Sequence, residues 1–136
     1  MIDARRAECE QIFHSLLKAQ AMRFDTNLSQ SLPKTHGLYA ISMVGATAGE
    51  YLHAGKTHRG ISGLRGRVWE QHYKTGGADG DLIEKVRARG HGRDAQEART
   101  FIRLNCQVQW VVVEDEMVRS WAEHYVLALL RPTWCS

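Results

Sequence analysis

At 136 residues the chain has the length of one ordinary domain, and 43% hydrophobic residues with only two prolines place it among globular proteins that bury a core without disulfides or a structural metal. The longest apolar runs, Trp110–Val113 and Val126–Leu130, are far too short to cross a bilayer, and no apolar signal-peptide core follows Met1–Ala7, so a cytoplasmic protein with no membrane partner is expected. Cys9, Cys106 and Cys135 are odd in number and widely spaced, which excludes a disulfide framework or a zinc knuckle.

The formal charge of +3 says less than its distribution. Between Lys56 and Arg103 eleven Lys and Arg face six Asp and Glu, so the middle third is the basic part, as in a binder of phosphate backbones. On charge alone, an ordinary solvated helix face explains it equally.

In chain order, Asp3 can cap a helix running to about Met22, with Ala7, Ile12, Phe13, Leu16, Leu17 and Ala21 at helical spacing. Polar residues from Asp25 to Ser31 and then Pro33 end it, leaving residues 1–32 as an N-terminal helical extension to a compact domain over 33–136. Gly37–Met43 reads as a strand, Gly45–Gly49 as a turn and Tyr51–Gly55 as the antiparallel return strand. A glycine-rich loop, Thr57–Gly63, leads to a helix over Leu64–Tyr73, and Gly76–Gly80 breaks the chain. Asp81–Arg89 and Asp94–Leu104 read as helices with aspartate N-caps, and Gln107–Val113 as a buried strand. The last helix, Met117–Leu130, is apolar over most of its circumference. On it Glu123 shares a face with Val126, Leu127 and Leu130, so a carboxylate stands at a partly dry surface. The expected fold is α/β of the α+β kind: a three-stranded, mainly antiparallel sheet flanked by helices.

A tyrosine on one hairpin strand, a glycine and lysine on its neighbour, an arginine on the next helix and a glutamate on the last make a coherent set for phosphodiester hydrolysis. A carboxylate can hold a divalent cation, an arginine can offset phosphate charge, and a phenol or imidazole can take a proton from water. These pieces resemble the GIY-YIG nuclease family. Gly37-Leu38-Tyr39 is similar to the first half of its name motif, and His53-Ala54-Gly55-Lys56-Thr57 stands at the second. Leu64-Arg65-Gly66-Arg67-Val68 resembles the helix carrying the family's arginine. Glu123-His124-Tyr125 followed by Leu130-Arg131-Pro132-Thr133-Trp134-Cys135 is similar to the family's metal-binding glutamate and closing segment. The resemblance spans Gly37 to Cys135, with Asp79–Asn105 as an insert.

What it implies is a three-stranded core and a Mg²⁺- or Mn²⁺-dependent endonuclease acting on double-stranded DNA. Glu123 would hold the cation and Arg67 the scissile phosphate. Tyr39 and His53 would orient and deprotonate water, with Lys56 and His72 assisting and Gly55 admitting the phosphate. Three departures stand out: His53 replaces the second tyrosine of the name, Cys135 replaces the closing asparagine, and His72 falls five residues after Arg67. Five residues on a regular helix turn His72 well away from Arg67, so Arg65, seven residues before it, is the second choice for the phosphate contact.

Each residue also has an ordinary reading. A strand Tyr39 or His53 can be core filling, Lys56 a solvated loop residue, Arg67 a surface partner of Glu70 or Gln71, and Glu123 a partner of Arg119 one turn before it. Trp69, Trp110, Trp121 and Trp134 read as packing groups, and Cys135 as a small hydrophobe. Two rival functions stay open: a nucleic-acid-binding module impaired in catalysis through His53 and Cys135, and a nuclease acting on RNA. The N-terminal helix is available to a homodimer or to cover the core.

Overall fold

The computed structural model describes residues 2–46, 50–58, 62–75 and 81–134. Cys135, the tip of the expected hairpin turn, part of the loop after Thr57 and the Gly76–Gly80 break lie outside the described residues.

The first helix, α1, spans Ile2–Lys18 and stops short of the expected Met22. A buried side chain accounts for the stop. Gln109 donates its amide to Leu17 O at 3.0 Å and Ala19 O at 2.8 Å, satisfying carbonyls that a continuing helix would have used. Tyr51 holds that amide in turn, its hydroxyl donating to Gln109 Oε1 at 2.8 Å. Beyond α1, Met22–Arg23 form a short strand, β1, which the expectation of a three-stranded sheet missed.

Within the expected polar linker stands a one-and-a-half-turn helix, α2, over Thr26–Ser31, capped by Asp25, whose carboxylate accepts from Leu28 N at 3.1 Å. Leu28 and Leu32 are fully buried. The N-terminal stretch is thus woven into the body of the domain: β1 pairs with the central sheet, and Phe24, Leu28 and Leu32 join its core.

Strand β2 is Gly37–Met43, as its composition predicts, β3 is His53–Lys56, and β4 is Cys106–Val112. The sheet is four-stranded and antiparallel throughout, in the order β1-β4-β2-β3, so the hairpin strand β3 is an edge. Between β3 and β4 come a π-helix over Arg65–Thr75, α3 over Asp81–Ala88 and α4 over Ala95–Asn105, the last capped by Asp94 as the sequence predicts. The final helix, α5, spans Glu116–Leu130 with Asp115 as its cap. No helix among the described residues is long and apolar enough to cross a membrane.

Alternation along β2 divides the core into two layers. Tyr39 and Ile41 face α2, the π-helix, α3 and α4, and join Phe24, Leu64, Val68, Leu82, Ile83 and Ile102. Leu38 and Ala40 face the other way, against Leu16 of α1 and Ala122 and Val126 of α5. Trp69, Trp110 and Trp134 pack against the first layer and Trp121 against the second, matching their reading as packing groups.

Candidate functional site

The register of the hairpin sets Tyr39 opposite Gly55 and Ile41 opposite His53, placing Tyr39 and His53 on one face of the sheet. Gly55 lies beneath the tyrosine: a Cβ there would stand 2.8 Å from the Tyr39 hydroxyl oxygen, so glycine provides clearance for the phenol. The third member comes from the π-helix. A ladder of i→i+5 bonds brings residue i+5 back over residue i, whereas five steps of an α-helix leave them about 140° apart. That winding corrects the expectation that His72 points away. It is fully buried, and its Nε2 lies 2.6 Å from Tyr39 Oη. His53 Nε2 lies 3.4 Å from the same oxygen.

Donor and acceptor logic assigns the protons of this cluster. The backbone N–H of Leu82, in the first turn of α3, donates to His72 Nδ1 at 3.1 Å. Neutral His72 therefore carries its proton on Nε2 and donates it to Tyr39, and the phenol hydrogen can turn to His53 Nε2 when His53 carries its own proton on Nδ1. Burial holds His72 well below its ordinary pKa of 6.5, and the charges of His53, Arg67 and Lys85 push the same way. The cluster is nearly closed to solvent: Tyr39 is 1% exposed and His53, its outermost member, 6%.

His72 makes stability depend on pH with a definite sign. Its pKa is depressed in the fold, so below about pH 6.5 the unfolded chain binds a proton that the folded chain refuses, and stability falls as pH falls. The expected slope approaches about 1.4 kcal/mol per pH unit, one proton, in the window below 6.5 and above the folded-state pKa of His72. Urea midpoints across that window should show it in the wild type and lose it in His72→Gln; equal slopes in both would remove His72 as the source.

Of the two candidate arginines, Arg67 is the one near the cluster: its charge acts on His72 and its Nη1 donates to Gln71 Oε1 at 2.8 Å. Arg65 is committed elsewhere. Its Nε donates to Leu32 O at 2.9 Å and its Nη2 to Gln30 O at 3.3 Å, which staples α2 to the π-helix.

Lys56 and Glu123 form a separate group. Lys56 pairs with Leu38 and so faces the α5 layer, where its Nζ reaches Ser120 Oγ at 3.5 Å. Glu123 follows Ser120 by three residues on α5 and is half-buried. Its expected partner Arg119 is 3% exposed and turned inward, donating to Thr57 O at 3.1 Å and to Val113 O and Glu114 O at 3.0 Å each. Glu123 thus keeps its carboxylate out of any ion pair with a described residue.

No group of three or more His, Cys, Asp or Glu among the described residues could cage a metal. A lone carboxylate offers at most one or two ligand atoms, so a hard cation such as Mg²⁺ or Mn²⁺ held there would need waters and phosphate oxygens for the rest. The structure therefore brings together Tyr39, His53 and His72, with Gly55 beneath and Arg67 near, on one face of the sheet. Lys56 and the α5 helix that carries Glu123 lie on the other.

Sequence reasoning did not anticipate the Leu82 N–H and the Lys85 charge that act on His72, or the burial of Arg119. The five-residue spacing of Arg67 and His72 was the one available hint of the π-helix. No family model, curated protein or solved structure matches the chain.

Proposed function

We propose that the protein is a divalent-metal-dependent endonuclease acting on DNA, with its proton-handling groups under one face of edge strand β3 and Glu123 on the helix packed against the other, a reading that requires the scissile phosphate to sit at the open edge of β3 where both can reach it. The observation that supports this reading is the convergence of His53 and His72 on the Tyr39 hydroxyl, an arrangement in which His72 donates to the phenol oxygen and His53, in its Nδ1–H tautomer, can accept the phenol hydrogen. Such an order suits a base. As the attacking water gives its proton to Tyr39 Oη, the phenol hydrogen passes to His53 Nε2, while His72 Nε2–H donates to the tyrosine oxygen throughout.

The resulting hydroxide adds to phosphorus, the P–O bond to the leaving strand breaks, and the leaving oxygen takes a proton from solvent. Arg67 offsets charge on the non-bridging oxygens and Lys56 attracts the strand toward the β3 edge. Glu123 is the residue that would hold Mg²⁺ or Mn²⁺, which when bound polarises the phosphoryl group. Because Tyr39 and His72 are closed off, substrate has to enter on the His53 side, the more open of the two.

That burial also favours a second reading: a nucleic-acid-binding module in which the cluster is a polar pin of the core. Nicking of supercoiled plasmid by the wild type separates the two. Mg²⁺- or Mn²⁺-dependent conversion to open circles supports the enzyme; no cleavage with any divalent cation between pH 6 and 9 supports the module. Cleavage of matched RNA duplexes alone would move the substrate to RNA.

A further inference from the structure

Two clefts lined by described residues of the basic middle of the chain differ in their free charge. Arg87 and Arg93 line the first with Glu84, and both are neutralised: Arg87 Nη1 pairs with Glu84 at 3.4 Å and Arg93 Nη2 with Glu97 at 2.7 Å. Arg93 holds the Glu97 carboxyl down to about 2, so that carboxylate stays ionised across the physiological range.

The second cleft, of about 220 Å³, is lined by Tyr73 at the end of the π-helix and by Gln96, Arg99, Thr100 and Arg103 of α4, with no carboxylate among them. Arg99 is fixed there, its Nε donating to Tyr73 O at 3.0 Å and its Nη2 to Lys74 O at 2.9 Å, which leaves Nη1 without a partner among the described residues. Arg103, one turn further along α4, is exposed. Its Cβ lies about 6 Å from that of Arg99, so the two guanidiniums can meet neighbouring phosphates of one strand.

We propose that this cleft is a docking surface for the phosphate backbone of duplex DNA, with Arg103 and Arg99 as its contacts. The choice of polymer rests on the function proposed above, but the docking itself requires no chemistry. The cleft ends the same π-helix that bears Arg67 and His72, so a backbone held at Arg99 and Arg103 is held at a fixed distance from the Tyr39 cluster.

The test measures binding without metal, where nothing is cut: anisotropy of a fluorescein-labelled duplex titrated with full-length protein in EDTA over a series of KCl concentrations. Arg103→Gln should weaken binding about fivefold or more at 0.1 M salt and reduce the slope of log K against log[salt] by about 0.9, one phosphate contact. Arg87→Gln, which removes an already paired charge, should change affinity less than twofold. No binding by the wild type, no effect of Arg103→Gln, or equal effects of the two substitutions would overturn the proposal, as would tighter binding to a matched RNA duplex. Failure of the nicking assay leaves these outcomes unaffected, so loss of the enzyme reading and loss of the docking surface are distinguishable.

Discussion

Glu123→Gln should reduce Mg²⁺-dependent plasmid nicking by about 10³-fold, the several kcal/mol that a positioned divalent cation contributes to a phosphoryl transition state. The substitution keeps shape and removes charge. Glu123 is half-buried and outside any ion pair with a described residue, so its amide leaves no stranded partner and thermal stability should shift by less than about 1 kcal/mol. The nearest cation in sequence on that side of the helix, Arg119, is held by three backbone carbonyls and does not depend on Glu123. Nicking measured alongside thermal melts checks both halves. Unchanged cleavage by a folded Glu123→Gln variant would remove the carboxylate from the mechanism.

Tyr39→Phe should act on the opposite side of β3 with a different signature. Its hydroxyl is the acceptor for His72 Nε2–H and the donor to His53, so its loss strands a buried N–H inside the first core layer. An unsatisfied buried donor costs about 1–3 kcal/mol, and loss of the base costs about 10²–10⁴-fold in cleavage rate. The enzyme reading predicts both effects together with unchanged affinity for DNA in EDTA. A variant that loses stability yet cleaves at the wild-type rate would show the cluster to be a structural pin alone.

The elements legible in the sequence were those with a local signature. Strand β2 appeared with its bounds intact, and Asp94 announced α4 because a capping carboxylate needs only its own neighbours. Helix α5 could be placed by its apolar stripe. Strand β1 was missed because two residues carry no periodicity, and Ala21 and Met22 continue the helical spacing of α1; what ends that helix is Gln109, ninety residues away. Helix α2 was hidden because only Leu28 and Leu32 mark its buried side among polar neighbours.

At the site, the tyrosine, glycine and strand histidine were singled out through their resemblance to a family motif, and the hairpin register sets Tyr39 opposite Gly55 and puts His53 on the same face. His72 was read as misdirected because a period of 3.6 was assumed, and no composition rule distinguishes a π-helix. The burial of Arg119 was equally invisible: an arginine four residues before a glutamate reads as a surface pair, and only the meeting of Thr57, Val113 and Glu114 carbonyls turns it inward.

The central claim is that Glu123 gathers a divalent cation beside the strand edge that carries His53 and Gly55. Crystals soaked in Mn²⁺, with data collected for anomalous scattering, test it directly. The account predicts an anomalous peak at direct ligation distance, about 2.1 Å, from a Glu123 carboxylate oxygen, with waters filling its other positions. A map with no peak at Glu123 under saturating Mn²⁺, or with its peak elsewhere on the molecule, would contradict it.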